Sequence, residues 1–237
     1  MAILILIRHG QSTWNAANRF SGWVDVPLNS VGRKEAMKAA KKVCQYEIDV
    51  CFTSLLMRAK ETTAICLTEG GNNCANKSPV FKHDVKDPNW HGWDKYEGHI
   101  TEEIPIYTSP DLDERYYGDL QGYNKAEMAE RVGKEQVHQW RRSFAIRPPG
   151  GESLKDTAAR TIPFFKNQIF PYLKEGNNVL VSAHGNSLRS IIMYLDRLDE
   201  SEVPGLELAT GIPIVYTFDG NGNITSKKTL DLAESYL

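Results

Sequence analysis

Three short apolar runs along the chain predict buried strands. They are Ala2 to Ile7, Ile48 to Thr53 and Val179 to Ala183. The first run is continuous and rich in β-branched residues, which is typical of a strand buried on both faces, and Gly10 marks its end. Strands of this kind are the usual building blocks of a parallel sheet.

Apolar residues at helical spacing predict helices between these strands. The clearest case begins at a cap formed by Asn29 or Ser30 and reaches about Tyr46. Its apolar positions follow the i, i+3, i+4, i+7 pattern of a helix with one buried face, and they are Ala36, Ala39, Ala40 and Val43.

Three further serines mark the starts of predicted helices. Ser54 would cap a helix that runs through Arg58 to about Leu67, and Ser187 is the candidate cap of the helix after the third strand. Ser153 would begin a helix that Pro163 kinks or divides into shorter pieces. The alternation of strand and helix indicates parallel strands joined by right-handed crossovers.

The remaining segments are less regular. Residues 13–28 are predicted to form an ordered loop. Periodicity fades again from Glu69 to about Pro110, which predicts a long irregular insertion. Loops of this length are usually either covers over a functional site or disordered, and two tryptophans and Tyr96 favour partial order. A charged helix is expected from Asn124 to about Phe144, and a closing hairpin from Ile214 to Ser226. The simplest interpretation is that residues 1–237 form one α/β domain.

Composition narrows the classes of function. The 237 residues are 41% hydrophobic and 24% charged, with a formal net charge of −2, so the chain shows no overall bias toward nucleic acid or anionic membranes. No run approaches the ~20 apolar residues that a membrane-spanning helix needs. We therefore expect no nucleic-acid partner, no membrane partner and a cytoplasmic location.

Metal and disulfide chemistry are not expected either. The four cysteines have neither C-x-x-C spacing nor a secretory context, which favours reduced or buried thiols. Three histidines in the predicted insertion stand beside aspartates, but no pair has the spacing of metal ligands on one helix turn or hairpin. These residues are His83, His91 and His99, with Asp84, Asp87 and Asp94.

Two predicted strands end in the same way, at Arg8-His9-Gly10 and at Ala183-His184-Gly185. If these strands are neighbours, both imidazoles face one crevice at the carboxyl edge of the sheet, and the helix after His184 directs its amide groups there. Arg58 would add a cation from a third strand end. Guanidinium groups match phosphate oxygens, so the constellation favours a phosphoryl group.

Reaction at phosphorus needs a nucleophile and a proton carrier. A neutral histidine can attack phosphorus and divide one transfer into two steps. Glu114 is the candidate acid and base, although its spacing fits a surface carboxylate equally well. An isolated Arg-His pair would more often simply close a strand, so the other segments decide the interpretation.

Several motifs together resemble the histidine phosphatase superfamily, and within it the 2,3-bisphosphoglycerate-dependent phosphoglycerate mutases. They run from residue 4 to about residue 218. The motifs are Leu6-Ile7-Arg8-His9-Gly10-Gln11-Ser12-x-x-Asn15, Arg19-Phe20-Ser21-Gly22-Trp23, Thr53-Ser54-x-x-x-Arg58-Ala59, Glu114-Arg115-x-Tyr117-Gly118-x-Leu120-Gln121-Gly122-x-Asn124-Lys125, Gln139-Trp140-Arg141-Arg142-Ser143-Phe144 and Ala183-His184-Gly185-Asn186-Ser187-Leu188-Arg189.

The resemblance implies a three-layer α/β/α sandwich with a mostly parallel central sheet, and a role for each matching residue. His9 would carry the phosphoryl group and Glu114 would move the proton of the substrate hydroxyl. The residues implied to hold the transferring phosphoryl group are Arg8, Asn15, Arg58, His184, Gly185 and Asn186. The residues implied to hold the rest of the substrate are Ser21, Gly22, Arg115, Tyr117, Lys125, Arg141 and Arg142.

The implied activity is the interconversion of 3-phosphoglycerate and 2-phosphoglycerate in glycolysis and gluconeogenesis, primed by 2,3-bisphosphoglycerate and without a metal. Homodimers and homotetramers occur among similar proteins. A phosphatase that gives the phosphoryl group to water, and a non-catalytic phosphate-binding module, are the alternatives. Five donors placed away from the nucleophile favour a substrate with two anionic ends.

Overall fold

Seven strands form one sheet in the computed structural model, which describes residues 1–70, 77–82 and 100–230. The strands are β1 (Ala2–Arg8), β2 (Val50–Thr53), β3 (Ser78–Lys82), β4 (Glu103–Thr108), β5 (Val179–Ala183), β6 (Pro213–Phe218) and β7 (Ile224–Thr229). Their order across the sheet is β3-β4-β2-β5-β1-β6-β7, and only the pairings made by β6 are antiparallel. The prediction of a mostly parallel sheet is confirmed.

The three strands that the apolar runs predict are neighbours at the centre of the sheet. β5 pairs in parallel with β1 on one side, where Arg8 faces Ala183, and with β2 on the other, where Thr53 faces Ser182. The Thr53 hydroxyl donates to the Ser182 carbonyl at 2.8 Å, which ties β2 to β5 at the end of both strands. The carboxyl ends of all three strands therefore meet at one edge.

Helices cover both faces of the sheet, as the three-layer prediction requires. In chain order they are α1 (Thr13–Ala16), α2 (Ser30–Val43), α3 (Met57–Thr68), α4 (Lys125–Val132), α5 (Lys134–Arg142), α6 (Leu154–Phe164), α7 (Phe170–Lys174) and α8 (Gly185–Asp196). Side chains of α2 and α3 pack with Ile5, Ile7 and Leu180 on one face. The segment from α6 to α8 packs with Leu4, Leu6 and Val181 on the other.

The prediction of an irregular insertion from Glu69 to Pro110 was wrong where the structure describes that segment. It contains β3 and β4, which pair in parallel with each other, and β4 also pairs with β2. Proline in both strands and charged residues at their ends hide the apolar pattern, since β3 is a half-buried edge strand and pairing partners override local propensity. The histidines and aspartates considered above as metal ligands lie outside the described residues, and so does Cys74.

Two predicted helices are divided in the structure. The charged helix expected from Asn124 to Phe144 is α4 and α5, separated by Gly133, whose φ of 96° lies in the left-handed region. The helix expected from Ser153 has the break that Pro163 predicts: α6 ends at Phe164, and a π-helical turn over Phe165–Ile169 leads into α7. The predicted loop at residues 13–28 also contains the short helix α1.

Two of the predicted helix caps were wrong. Leu56 rather than Ser54 precedes α3, and His184 rather than Ser187 precedes α8. Ser187 lies one turn inside α8, where its hydroxyl accepts a hydrogen bond from the His184 amide at 3.2 Å. Both serines are nevertheless at the carboxyl edge of the sheet, next to the candidate site. No helix in the described part of the chain is long and apolar enough to cross a membrane.

The loop after β1 packs against the first turn of α2 with no room for a side chain on either backbone. A Cβ atom on Gly10 would lie 2.2 Å from the Gly32 carbonyl oxygen, and one on Gly32 would lie 2.1 Å from the Gln11 carbonyl oxygen. The Gly10 amide also donates to the Thr62 hydroxyl on α3 at 3.1 Å. These contacts fix the backbone directly after His9.

We expect Gly32→Ala to destabilise the protein by about 1–3 kcal/mol, because the added methyl group forces the backbone of the His9 loop to shift. Gly220→Ala is the matched control: its Cβ atom would meet no atom within 4 Å, and we expect a change within about 0.5 kcal/mol. Urea unfolding of both variants measures the difference. Equal stability of the two variants would contradict the close packing.

Candidate active site

The two histidines of the strand-end motifs lie together at the carboxyl edge of the sheet. The His9 amide donates to the Ala183 carbonyl at 3.0 Å, which continues the β1–β5 ladder up to His184. The ring centroids of His9 and His184 are 4.9 Å apart with an interplanar angle of 62°, and both side chains are buried. The convergence predicted from the sequence is confirmed.

The hydrogen bonding of His9 fixes which ring nitrogen is free. Its Nδ1 lies 2.7 Å from the Gly10 carbonyl oxygen. A carbonyl oxygen only accepts hydrogen bonds, so Nδ1 carries the proton and Nε2 keeps its lone pair in the neutral ring. The adjacent backbone therefore leaves the Nε2 lone pair free.

The environment keeps both histidines neutral. Burial lowers the pKa of His9 well below its usual value, and the charges of Arg58 and Arg8 lower that pKa further. Burial and the same two arginines also lower the pKa of His184, with a contribution from His9. A cationic imidazole is disfavoured in a site that already contains two guanidinium groups.

Ser54 is a site residue that sequence reasoning assigned to a helix cap. Its Oγ lies 2.7 Å from Nε2 of His184 and also accepts a hydrogen bond from the Leu56 amide at 2.9 Å. Ser54 also forms a hydrogen bond with the Asp113 carboxylate. Burial raises the pKa of that carboxyl group. The rule that identified His9 and His184, a polar residue directly after a central strand, applies to Ser54 as well.

Arg58 and Arg8 are anchored through part of their guanidinium groups only. Arg58 is buried and donates to the carbonyls of Gly22 and Val24 at 2.7 and 2.9 Å, and Arg8 donates to the Leu208 carbonyl at 2.7 Å. The Nε atoms of both arginines are buried and have no hydrogen-bond partner among residues 1–70, 77–82 and 100–230. Burial lowers the pKa of Arg58, which is consistent with a desolvated cation.

Glu114 lies at the same edge, at the N-terminus of α8. One carboxylate oxygen accepts hydrogen bonds from the Arg115 amide at 2.8 Å, from the Asn186 amide at 3.2 Å and from the Asn186 side chain at 2.7 Å. Burial raises the pKa of Glu114, but these donors together with Arg8 and Arg58 outweigh it and lower the pKa overall. Glu114 is therefore ionised and ready to accept a proton. Glu114 lies in the crevice with these donors, so it is not the surface carboxylate that its spacing also allowed.

A second group of donors lies beside the histidines. Arg115 is fully buried, and its Nη2 donates to the Tyr117 hydroxyl and to the Arg141 carbonyl, both at 3.1 Å. Burial raises the pKa of Tyr117, but the charges of Arg115 and Lys125 lower it overall. Burial lowers the pKa of Lys125, as do the charges of Arg141 and Arg8. This group is cationic, and it lies close enough to Arg8 and Glu114 for their charges to shift the pKa of Lys125.

Three other predicted site residues make their hydrogen bonds or ion pairs, where they have any, with residues other than His9 and His184. Asn15 uses its side-chain oxygen to accept hydrogen bonds from the amide and hydroxyl of Ser12, which leaves its NH₂ group to donate. Arg142 is held by an ion pair with Glu207 at 2.6 Å. Ser21 is buried beside Gly22, and its hydroxyl has no hydrogen-bond partner among the described residues.

Trp23 and Gln121 belong to the matching sequence motifs, which implied no role for either residue. The structure links both of them to the site. The indole N–H of Trp23 donates to the Glu114 carbonyl at 2.6 Å, and the Trp23 amide donates to the Gln121 side chain at 2.7 Å. Gly22 adopts a φ of 51°, and a Cβ atom there would overlap the Gln121 oxygen at 2.0 Å. The Ser21-Gly22-Trp23 loop is thereby attached to the segment that carries Glu114.

Buried donors without partners indicate what the site can bind. In the described part of the chain they include Nε of Arg8, Nε of Arg58 and both Nε and Nη1 of Arg115. Unpaired cationic donors in a buried site favour an anion with several oxygens, such as a phosphorylated acid. The described residues contain no group of three or more His, Cys, Asp or Glu side chains that could hold a metal ion.

The site thus combines two buried, neutral histidines with cationic donors at the carboxyl ends of the central strands. The model of the histidine phosphatase superfamily (branch 1) matches residues 4–96 and 95–229. The chain belongs to this superfamily.

Relatives with high sequence identity define the family within this superfamily. The chain is 59% identical to the 2,3-bisphosphoglycerate-dependent phosphoglycerate mutase of Gloeothece citriformis, over 97% of this chain and 100% of that protein. It is 60% identical to the 2,3-bisphosphoglycerate-dependent phosphoglycerate mutase 1 of Gloeobacter violaceus, over 97% and 99%. Within the superfamily the chain thus belongs to the 2,3-bisphosphoglycerate-dependent phosphoglycerate mutase family.

The fold is also similar to a solved structure of lower sequence identity. Mycobacterial glucosyl-3-phosphoglycerate phosphatase matches with a TM-score of 0.71 and 21% identity, over 97% of each chain. At this identity the likeness shows the fold alone.

The buried neutral histidines predict a specific dependence of stability on pH. Below pH ~6.5 the unfolded chain binds protons on His9 and His184 that the folded chain excludes, because the pKa of each is lowered on folding. Stability should fall as the pH drops below this point, by up to about 1.4 kcal/mol per pH unit for each histidine.

Urea unfolding between pH 5 and pH 7.5 would measure this dependence. We expect His9→Asn and His184→Asn each to reduce the slope, whereas the control His138→Asn, at an exposed position on α5, should leave it unchanged. Equal slopes in wild type and all three variants would contradict the lowered pKa values.

Proposed function

We propose that this protein interconverts 3-phosphoglycerate and 2-phosphoglycerate by passing a phosphoryl group through His9. The observation that carries the proposal is the state of His9: a buried, neutral imidazole whose Nδ1 proton is engaged by the Gly10 carbonyl, so that Nε2 is free beside two guanidinium groups. Membership in the mutase family supports the same activity. The reaction belongs to glycolysis and gluconeogenesis.

The first step charges His9. Bound 2,3-bisphosphoglycerate supplies the phosphoryl group. The lone pair of Nε2 forms the bond to phosphorus while the bond to the leaving oxygen breaks, and the Glu114 carboxyl group gives its proton to that oxygen. The other ring nitrogen, Nδ1, keeps its own proton in the hydrogen bond to the Gly10 carbonyl. Arg8, Arg58 and His184 surround the phosphoryl oxygens, with Asn15 and the amides of Gly185 and Asn186 as further donors. The free Nε donors of the two arginines support this assignment.

Glu114 completes the transfer by moving one proton. When phospho-His9 gives its phosphoryl group to the free hydroxyl of 3-phosphoglycerate, the Glu114 carboxylate takes the hydroxyl proton. The reverse transfer, from the other end of the bisphosphorylated product, returns that proton to the leaving oxygen. The lowered pKa of Glu114 supports only the starting state of this transfer, in which the carboxylate is ionised and carries no proton.

The second cationic group holds the end of the substrate that does not react. Arg115, Tyr117 and Lys125 would bind the carboxylate and the second phosphate, together with Arg141 and Arg142 from the end of α5. Ser21 and Gly22 would add polar contacts. Buried, unpartnered donors on Arg115 support this division of the site into two anion-binding parts.

A phosphatase that transfers the phosphoryl group of His9 to water is the second candidate. It needs His9, Arg58 and Glu114, but not a second cationic group beside them, which favours the mutase. The intact set of His9, Glu114 and His184 equally favours an enzyme over a phosphate-binding module. We place the enzyme in the cytoplasm, as a homodimer or homotetramer, by analogy with similar proteins.

An assay with 3-phosphoglycerate distinguishes the candidates. We expect formation of 2-phosphoglycerate that depends on added 2,3-bisphosphoglycerate and continues in the presence of a metal chelator. Release of inorganic phosphate without 2-phosphoglycerate would favour the phosphatase. Turnover that needs no bisphosphoglycerate, or that the chelator abolishes, would contradict the proposed mechanism.

Replacing Glu114 with Gln should lower the mutase rate by roughly 10²–10⁴, the usual contribution of a positioned general acid or base. Steady-state kcat measures the effect, and Glu130→Gln, at an exposed position on α4, serves as the charge-matched control. An unchanged rate in Glu114→Gln would remove this residue from the mechanism.

A further inference from the structure

The segment that carries Glu114 has little regular structure of its own. It leaves β4, makes a single 3-10 turn at Pro110–Leu112, continues through Asp113 in extended backbone and reaches Glu114 outside any helix or strand. Its carbonyl groups are not part of the sheet, so other contacts must fix the position of the Glu114 backbone. A shift of about 1 Å at such a group is enough to lower a catalysed rate by roughly 10²-fold.

Arg160, from α6, supplies these contacts. Its Nη1 donates to the carbonyls of Pro110 and Asp111, both at 2.9 Å, and its Nη2 donates to the carbonyls of Asp113 and Glu114, both at 3.0 Å. One guanidinium group thus binds four carbonyl oxygens along five consecutive residues. The planar fork of arginine makes this possible.

Glu152 orients the same guanidinium group from the other side. Its carboxylate oxygens lie 3.3 Å from Nε and 3.2 Å from Nη2 of Arg160, and one of them also accepts the Tyr116 amide at 3.0 Å. Two other donors contact the same segment: the Thr161 hydroxyl at the Asp111 carbonyl and the Trp23 indole N–H at the Glu114 carbonyl. The backbone is therefore held both before and after Glu114.

The donor count separates Arg160 from the arginines that face the substrate. A guanidinium group has five N–H donors, and the six contacts of Arg160 engage all of its nitrogen atoms. Arg8, Arg58 and Arg115 each retain a buried nitrogen with no hydrogen-bond partner in the described residues. Arg160 is thus committed to the backbone and has no donor left for a ligand.

We propose that Arg160, oriented by Glu152, is a positioning residue that holds the Glu114 carboxylate where it can exchange a proton with the substrate hydroxyl. This inference rests on the proposed role of Glu114. If Arg160 has this role, replacing it impairs proton transfer selectively, while substrate binding and attack by His9 are retained.

A change of leaving group tests this selectivity. Transfer to 3-phosphoglycerate requires Glu114 to take a proton, whereas para-nitrophenyl phosphate charges His9 with release of a phenolate that needs none. In Arg160→Lys, which keeps the charge but not the fork, we expect kcat with 3-phosphoglycerate to fall about 10- to 100-fold, with KM changed by less than about 3-fold. The initial burst of nitrophenolate should change by less than about 3-fold.

Two further variants distinguish loss of positioning from a general loss of structure. Arg147→Lys, which alters an exposed ion pair with Asp156, should match wild type on both substrates. Trp23→Phe removes the donor to the Glu114 carbonyl but keeps a ring against Tyr116, at 4.8 Å between centroids in the wild type. We expect a smaller loss of the same selective kind. Circular dichroism checks the fold of each variant.

The outcomes separate this inference from the proposed function. If Glu114→Gln is selectively impaired with 3-phosphoglycerate but Arg160→Lys and Trp23→Phe lose both reactions equally, or neither, the positioning role is wrong and the role of Glu114 stands. If Glu114→Gln itself does not distinguish the two substrates, the proposed role of Glu114 fails and the positioning role fails with it.

Discussion

Parallel pairing of three central strands is the constraint on which the rest of the molecule depends. β5 lies between β1 and β2, and the chain positions that meet at their carboxyl ends are separated by up to 175 residues of sequence. Because the register places Arg8 opposite Ala183 and Thr53 opposite Ser182, the residues that follow each strand enter one crevice. His9, Ser54 and His184 are neighbours for this reason, and α8 begins directly after His184, where the Asn186 amide donates to Glu114.

Much of this arrangement was predictable from the sequence, and the reason is physical. A strand buried on both faces needs a continuous apolar run, so β1, β2 and β5 are visible in the sequence, and so is the polar residue after each. β3 and β4 were missed because their pattern is broken by proline and charge, and because their stability comes from pairing. Ser54 was misassigned because a serine after a strand looks the same whether it caps a helix or contacts His184. The contacts of Arg160 with distant carbonyl groups leave no local pattern at all.

The arginines of the site show how one residue type serves two purposes. Arg160 uses its guanidinium group to fix backbone that has no secondary structure, whereas Arg8 and Arg58 are anchored by a few carbonyl groups and keep other donors unused. Burial without a complete set of partners has an energetic cost, which a binding site can recover only when its ligand arrives. Counting donors therefore separates Arg160 from the arginines that are proposed to bind the ligand, whereas burial alone does not.

The neutrality of His9 has a further consequence for the charge of the enzyme through its cycle. In the free protein the guanidinium groups of Arg8 and Arg58 share one ionised carboxylate, Glu114, and the two neutral imidazoles add no charge. In the proposed cycle, a phosphoryl group on Nε2 adds negative charge beside these guanidinium groups. The step that stores the phosphoryl group would then also offset part of the electrostatic cost of burying the two arginines.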